Sequence, residues 1–133
     1  LQGDNPDHVI YRGSGAAYPA GQHLTGDAQD AETYKPTTQK WLNFAAVAIH
    51  PAVIRSVGML DPQLKMWFSD SDYCMRARRH GFKCWIEPKA MVRHEHSVSV
   101  QEMQDTERMR LWVHDQDLFF RKWGGVDLAS VSG

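Results

Sequence analysis

The sequence predicts a mixed α/β chain. Three features carry this expectation: a continuous apolar run at Phe44–Ile49, an amphipathic stretch closed by Gly81 with a second apolar run right behind it, and a helical apolar period over residues 101–123. Short apolar runs alternating with amphipathic helices are the pattern of sheets covered by helices. With 133 residues, 42% of them apolar and 23% charged, the chain has the length and composition of one folded unit over residues 1–133.

Taken in order, His8–Arg12 is a short strand candidate, rich in Val, Ile and Tyr. Residues 13–40 are dominated by Gly, Pro, Ala, Thr and Asp with no periodic apolar signal, so a long loop is expected there. Phe44–Ile49 reads as a strand buried on both faces. His50-Pro51 ends it, Pro51 suits the first turn of a helix through Val57, and Gly58 closes that helix. Asp61-Pro62 marks a turn. Ser69, Asp70 or Ser71 caps a helix that Gly81 ends. In that helix Tyr73, Cys74 or Met75, and Ala77 face inward, while Arg76, Arg78 and Arg79 face mostly outward. Phe82–Ile86 is a strand stopped by Glu87-Pro88, and Ala90–His96 a further short strand. Residues 100–123 form a C-terminal helix with Met109, Trp112, Val113, Phe119, Phe120 and Trp123 in helical period. Gly124-Gly125 breaks it, and 126–133 form a tail.

Lys and Arg number 15 against 16 Asp and Glu, which argues against a chain-wide nucleic-acid footprint. Charge is nonetheless uneven. Residues 1–36 carry two basic and five acidic side chains, residues 37–100 nine and five, and residues 101–133 four and six. The basic middle suits a phosphate-bearing ligand or a solvated helix face equally well. No apolar run approaches the roughly 20 residues that span a bilayer. Cys74 and Cys84 lack metal-site spacing. A disulfide between them is geometrically possible, but two small buried hydrophobes are expected.

Few residues carry chemistry. Asp70 and Asp72, two apart at a helix start, can bind a cation or act as a base, but their spacing alone favours capping. Asp72 also stands four residues before Arg76, the spacing of a helical ion pair. His94-Glu95-His96 would put both imidazoles on one face of a strand, as metal ligands or phosphate partners, or as plain exposed polar groups. Asp115-Gln116-Asp117 repeats the D-x-D string within the last helix, where the two carboxylates diverge, and is read as solvated surface.

The order of these elements says more than any one of them. Between Asn43 and Ser99 the chain resembles family 2 glycosyltransferases of the GT-A fold. Gly58-Met59-Leu60-Asp61 matches that family's turn, with Pro62 in place of the usual acid. Ser69-Asp70 stands where the family has Glu-Asp, Asp72 and Arg76 match its next Asp and Arg, and Gly81 the helix end. Pro88 matches the strand end, His94 the family His and Ser99 the Ser after it. Trp123-Gly124 also looks like the family's C-terminal helix.

The resemblance implies a partial GT-A-like three-layer unit of sheet and helices, lacking the N-terminal nucleotide-binding half. It implies transfer of a sugar from a nucleotide-diphosphate sugar to a hydroxyl of an acceptor glycan or lipid-linked glycan, with inversion and with Asp70 as general base. Mg2+ or Mn2+ is the implied cofactor, with His94 near the metal or diphosphate. Trp67, Asp72 and Arg76 are the implied substrate-binding residues, Asp72 and Arg76 by holding helix and loop in place. A cytoplasmic setting, up to the membrane surface, goes with it. By length the chain corresponds to little more than the second half of such an enzyme. A homodimer or a missing N-terminal half is then expected to cover the open sheet edge. The alternative is a non-catalytic half-domain that binds or oligomerises. A small metal-dependent hydrolase built on His94 and His96 is the third reading.

Overall fold

The structure is a computed structural model that describes residues 35–93 and 103–124, together with the backbone of two short strands near the N-terminus. Those strands, β1 (His8–Val9) and β2 (Gly26–Asp27), pair antiparallel. A second two-stranded antiparallel sheet joins β3 (Thr37–Gln39) to β4 (Cys84–Ile86), with Thr38 opposite Trp85 and Gln39 opposite Cys84. Three helices complete the described chain: α1 (Pro51–Val57), α2 (Ser69–Arg79) and α3 (Asp105–Trp123). The molecule is thus a mixture of helices and small sheets, as the apolar pattern predicts.

The core is organised around α2. On one side Met75 packs with Leu64, Phe119 and Trp123, with Phe68 and Leu118 against them. On the other Cys74 packs with Trp41 and Cys84, flanked by Leu42 and Phe44. Helix α2 therefore lies between α3 and the β3–β4 sheet, and six of its residues, Ser71 to Met75 and Ala77, are buried. Its end follows from Gly81, whose φ of 81° is costly for a residue with a Cβ. The N–H of Gly81 donates to Arg78 O and that of Phe82 to Ala77 O, which closes the helix in a Schellman motif. Helix α1 starts at Pro51 and is capped by His50, whose Nδ1 accepts from Ala52 N–H. Cys74 and Cys84 are both free and buried.

Several expectations are corrected. Phe44–Ile49 is not a strand. Asn43 Oδ1 accepts from Ala45 N–H to make a turn, and residues 45–48 are exposed. An apolar run becomes a strand only where another strand satisfies its ladder, and among the described residues none lies beside it. The expected loop over 13–40 contains β2 and β3, too short to register as apolar periods. The strand expected from Phe82 begins at Cys84, because Phe82 is spent on the helix end. Residues 90–93 are not extended into a ladder either: Ala90 N–H turns back to Glu87 O. The last helix begins at Asp105, after Gln104 as N-cap. The remainder of the 90–96 strand, the 8–12 strand beyond Val9 and the 126–133 tail lie outside the described residues.

Candidate functional site

The approach to α2 is unusual. Its N-cap is Phe68, not Ser69, Asp70 or Ser71, and Phe68 holds a left-handed conformation at φ 63° with no side-chain cap bond. Such a backbone persists in a bulky residue only when its surroundings over-determine it. They do here. The Phe68 ring stacks on Phe119 with centroids 4.9 Å apart and leans on Trp112 at 5.4 Å. The three residues before it are held by Asp115. That carboxylate is fully buried and accepts from the N–H groups of Lys65 (3.0 Å), Met66 (2.7 Å) and Trp67 (2.8 Å), with His114 Nδ1 a further 2.9 Å away. Burial alone would push the Asp115 carboxyl up. The bonds from Lys65, His114, Trp67 and Met66 outweigh it and hold the group below its ordinary range.

Asp115 is thus a correction to the solvated reading of Asp115-Gln116-Asp117. Asp117 does face solvent, paired to Arg121, while Asp115 points into the fold. The signal was present: Asp115 lies three residues after Trp112 and four before Phe119, on the apolar face of α3.

Asp72 is the second anchor. It is fully buried and meets Arg76 Nε at 2.9 Å, Trp123 Nε1 at 2.9 Å and Lys122 Nζ at 2.7 Å. Lys122 also reaches Asp61 at 2.8 Å. Arg76 turns inward, where an outward direction was expected, and donates to Val57 O and Met59 O while packing over the Tyr73 ring. Tyr73 Oη donates to Gly58 O. Together these residues lock the end of α1, the 57–61 turn, α2 and the end of α3 into one block. Asp72 has no surface left to offer a ligand. The 2.8 Å bond from Lys122 holds Asp61 below the ordinary carboxylate range.

Asp70 differs from both. It is half-buried, on the face of α2 toward Phe44, and its carboxylate accepts from Ser71 N–H at 2.7 Å and from Phe44 N–H. Burial pushes its carboxyl above the ordinary range, and those bonds offset the shift only in part. A carboxyl so placed is suited to take up a proton.

The expected site residues therefore go to different places. Asp72 and Arg76 come together as a structural clamp. Trp67 turns to α3, its ring edge-on to Trp112 at 5.5 Å. Asp70 sits on the side of α2 facing Phe44. His94, and with it His96 and Ser99, lies outside the described residues. Among the described residues no three of His, Cys, Asp and Glu come together as a possible metal site. No protein-family model, no curated protein and no solved structure matches the chain.

Proposed function

We propose that the chain is the acceptor-side part of an inverting sugar transferase of the family 2 glycosyltransferase type, a GT-A-like unit, with Asp70 as general base. The observation that supports the reading is the setting of Asp70. Asp61 and Asp115 are held below the ordinary carboxylate range, whereas Asp70, at the start of the most buried helix, is held above it. In the reaction the acceptor oxygen bonds to the anomeric carbon and its proton passes to Asp70. The bond from that carbon to the diphosphate breaks, and the nucleoside diphosphate leaves with the electron pair. A base with a raised pKa is better matched to that proton near neutrality. The clamp of Asp72, Arg76, Lys122 and Trp123 and the hold of Asp115 on the preceding loop keep the backbone of Asp70 in place.

The proposed partners are a nucleotide-diphosphate sugar and an acceptor glycan or lipid-linked glycan. Mg2+ or Mn2+ would neutralise the leaving diphosphate, although no three of His, Cys, Asp and Glu among the described residues come together to hold it. A cytoplasmic setting belongs to the same proposal; among the described residues no helix is long and apolar enough to cross a membrane.

The test measures nucleoside diphosphate released from a panel of nucleotide sugars with Mg2+ or Mn2+ and hydroxyl acceptors. Release lost in Asp70→Asn supports the assignment, and release unchanged in that variant overturns it. The second reading, a binding or assembly module, is favoured by the exposed apolar residues 45–48 and by a stripe on α3. It expects a stable dimer without nucleotide affinity. Micromolar binding of a nucleotide sugar in calorimetry counts against it.

A further inference from the structure

Helix α3 is apolar on two sides. Asp115, Phe119 and Trp123 face the core, with Trp112 beside them against Trp67 and Phe68, whereas Met109 (63% exposed), Val113 (55%) and Phe120 (41%) lie in solvent. Met109, Val113 and Phe120 stand at i, i+4 and i+11, with the half-buried Gln116 between the last two, so they form one line about a quarter turn from the core face. Exposed apolar side chains scattered singly need no explanation, but three aligned along one helix face suit a contact surface.

We infer that this stripe pairs with the same stripe of a second copy, antiparallel about a two-fold axis. The pattern is self-complementary in that arrangement. An axis between His114 and Asp115, at the middle of α3, sets Met109 against the partner's Phe120 and Val113 against the partner's Gln116, so the two helices overlap along their whole length of about 28 Å. Along the edge of the stripe away from Trp112 run Arg110 and Asp117, both exposed. The same axis brings Arg110 to within about two residues' rise, roughly 3 Å, of the level of the partner's Asp117, and the pair occurs twice. In a parallel two-fold pairing the Arg110 and Asp117 edges of the two helices lie on opposite sides of the interface, so this approach is lost. Asp117 already bonds to Arg121 of its own helix, but with those side chains 61% and 70% exposed the pair is weak and open to exchange. The inference does not depend on the sugar-transfer reading: transfer is read by nucleotide release, pairing by mass.

Sedimentation velocity across the micromolar range, with far-UV circular dichroism as the check on folding, tests it. The wild-type chain is expected to dimerise with rising concentration. Val113→Glu, at an exposed position, is expected to stay monomeric with unchanged helicity. Arg110→Asp should weaken the dimer at least tenfold, and Arg110→Asp combined with Asp117→Arg should restore it. A wild-type chain that stays monomeric overturns the inference, and so does a dimer indifferent to Val113→Glu. A folded double variant that fails to recover dimerisation overturns the antiparallel register.

Discussion

Replacing Asp115 by Asn is the sharpest test of how the loop before α2 is held. The change is isosteric and leaves the core volume intact, so its cost measures the charge and its hydrogen bonds. Three backbone N–H groups converge on the carboxylate at 2.7–3.1 Å. Hydrogen bonds to a charged acceptor are worth about 1.5–3 kcal/mol each, so a simple sum for three reaches about 5–9 kcal/mol. That sum is too large, because such bonds are not additive and water reaches the exposed Lys65. The asparagine also keeps one accepting oxygen while turning its NH2 toward a donor. A loss of about 2–3 kcal/mol is expected, against about 3–5 kcal/mol for Asp115→Ala, the usual cost of breaking a buried ionic contact.

Urea unfolding followed by circular dichroism measures the loss, with the slope in urea expected to stay unchanged. The pH dependence supplies an independent check. The folded-state pKa of Asp115 is lowered, so its contribution is fully present above the unfolded value of about 3.9 and is lost as pH falls through the folded value. The gap between wild type and Asp115→Asn should therefore close in acid. A loss below about 1 kcal/mol at neutral pH, or a gap that persists unchanged in acid, would refute the account of Asp115 as an ionised anchor.

Asp70 has the opposite sign. Its folded-state pKa is raised, so its contribution is present below the unfolded value and is lost as pH rises through the folded one. Asp70→Asn should melt higher than wild type at neutral pH and not in acid, and a lower neutral melting temperature would contradict the burial argument. Arg76→Lys should destabilise by about 2–4 kcal/mol in urea titrations, because lysine cannot serve Asp72 and the carbonyls of Val57 and Met59 together. Gly81→Ala meets open space, so its cost is the left-handed backbone alone, about 1–2 kcal/mol in the same assay.

Local signals made much of this fold legible. Pro51 and Gly58 bracket α1, Gly81 ends α2 through backbone bonds within six residues, and the apolar period of α3 runs to Trp123. What failed was non-local. The run Phe44–Ile49 has the composition of a buried strand, but composition does not supply the neighbour that would pair with it. Phe68 carries no sequence signal for a left-handed cap. Its conformation is held by Asp115, Trp112 and Phe119, more than 40 positions away. Asp115 is legible from its place on the helical wheel, between Trp112 and Phe119, but the wheel does not say which backbone N–H groups a buried carboxylate will meet. For the candidate site, the spacing of Asp72 and Arg76 announced their pairing, but nothing local announced that Lys122 and Trp123 would complete it.

The carboxylates show why a motif alone could not sort them. Asp70 and Asp72 are two positions apart on one helix, and that separation turns them to opposite environments. Asp72 faces the end of α3, where Arg76, Lys122 and Trp123 all donate to it. Asp70 faces Phe44 and receives mainly backbone N–H groups, which carry no formal charge and offset its burial only in part. The same helix rotation that buries Asp72 among three donors leaves Asp70 outside the clamp, where burial holds its carboxyl above the ordinary range. Since Asp72 and Asp115 fix α2 and the loop before it without using Asp70, its proton can come and go while the block stays folded. The proposed assignment of Asp70 as general base rests on this arrangement, in which the carboxyl outside the clamp is not one of the two that hold the block together.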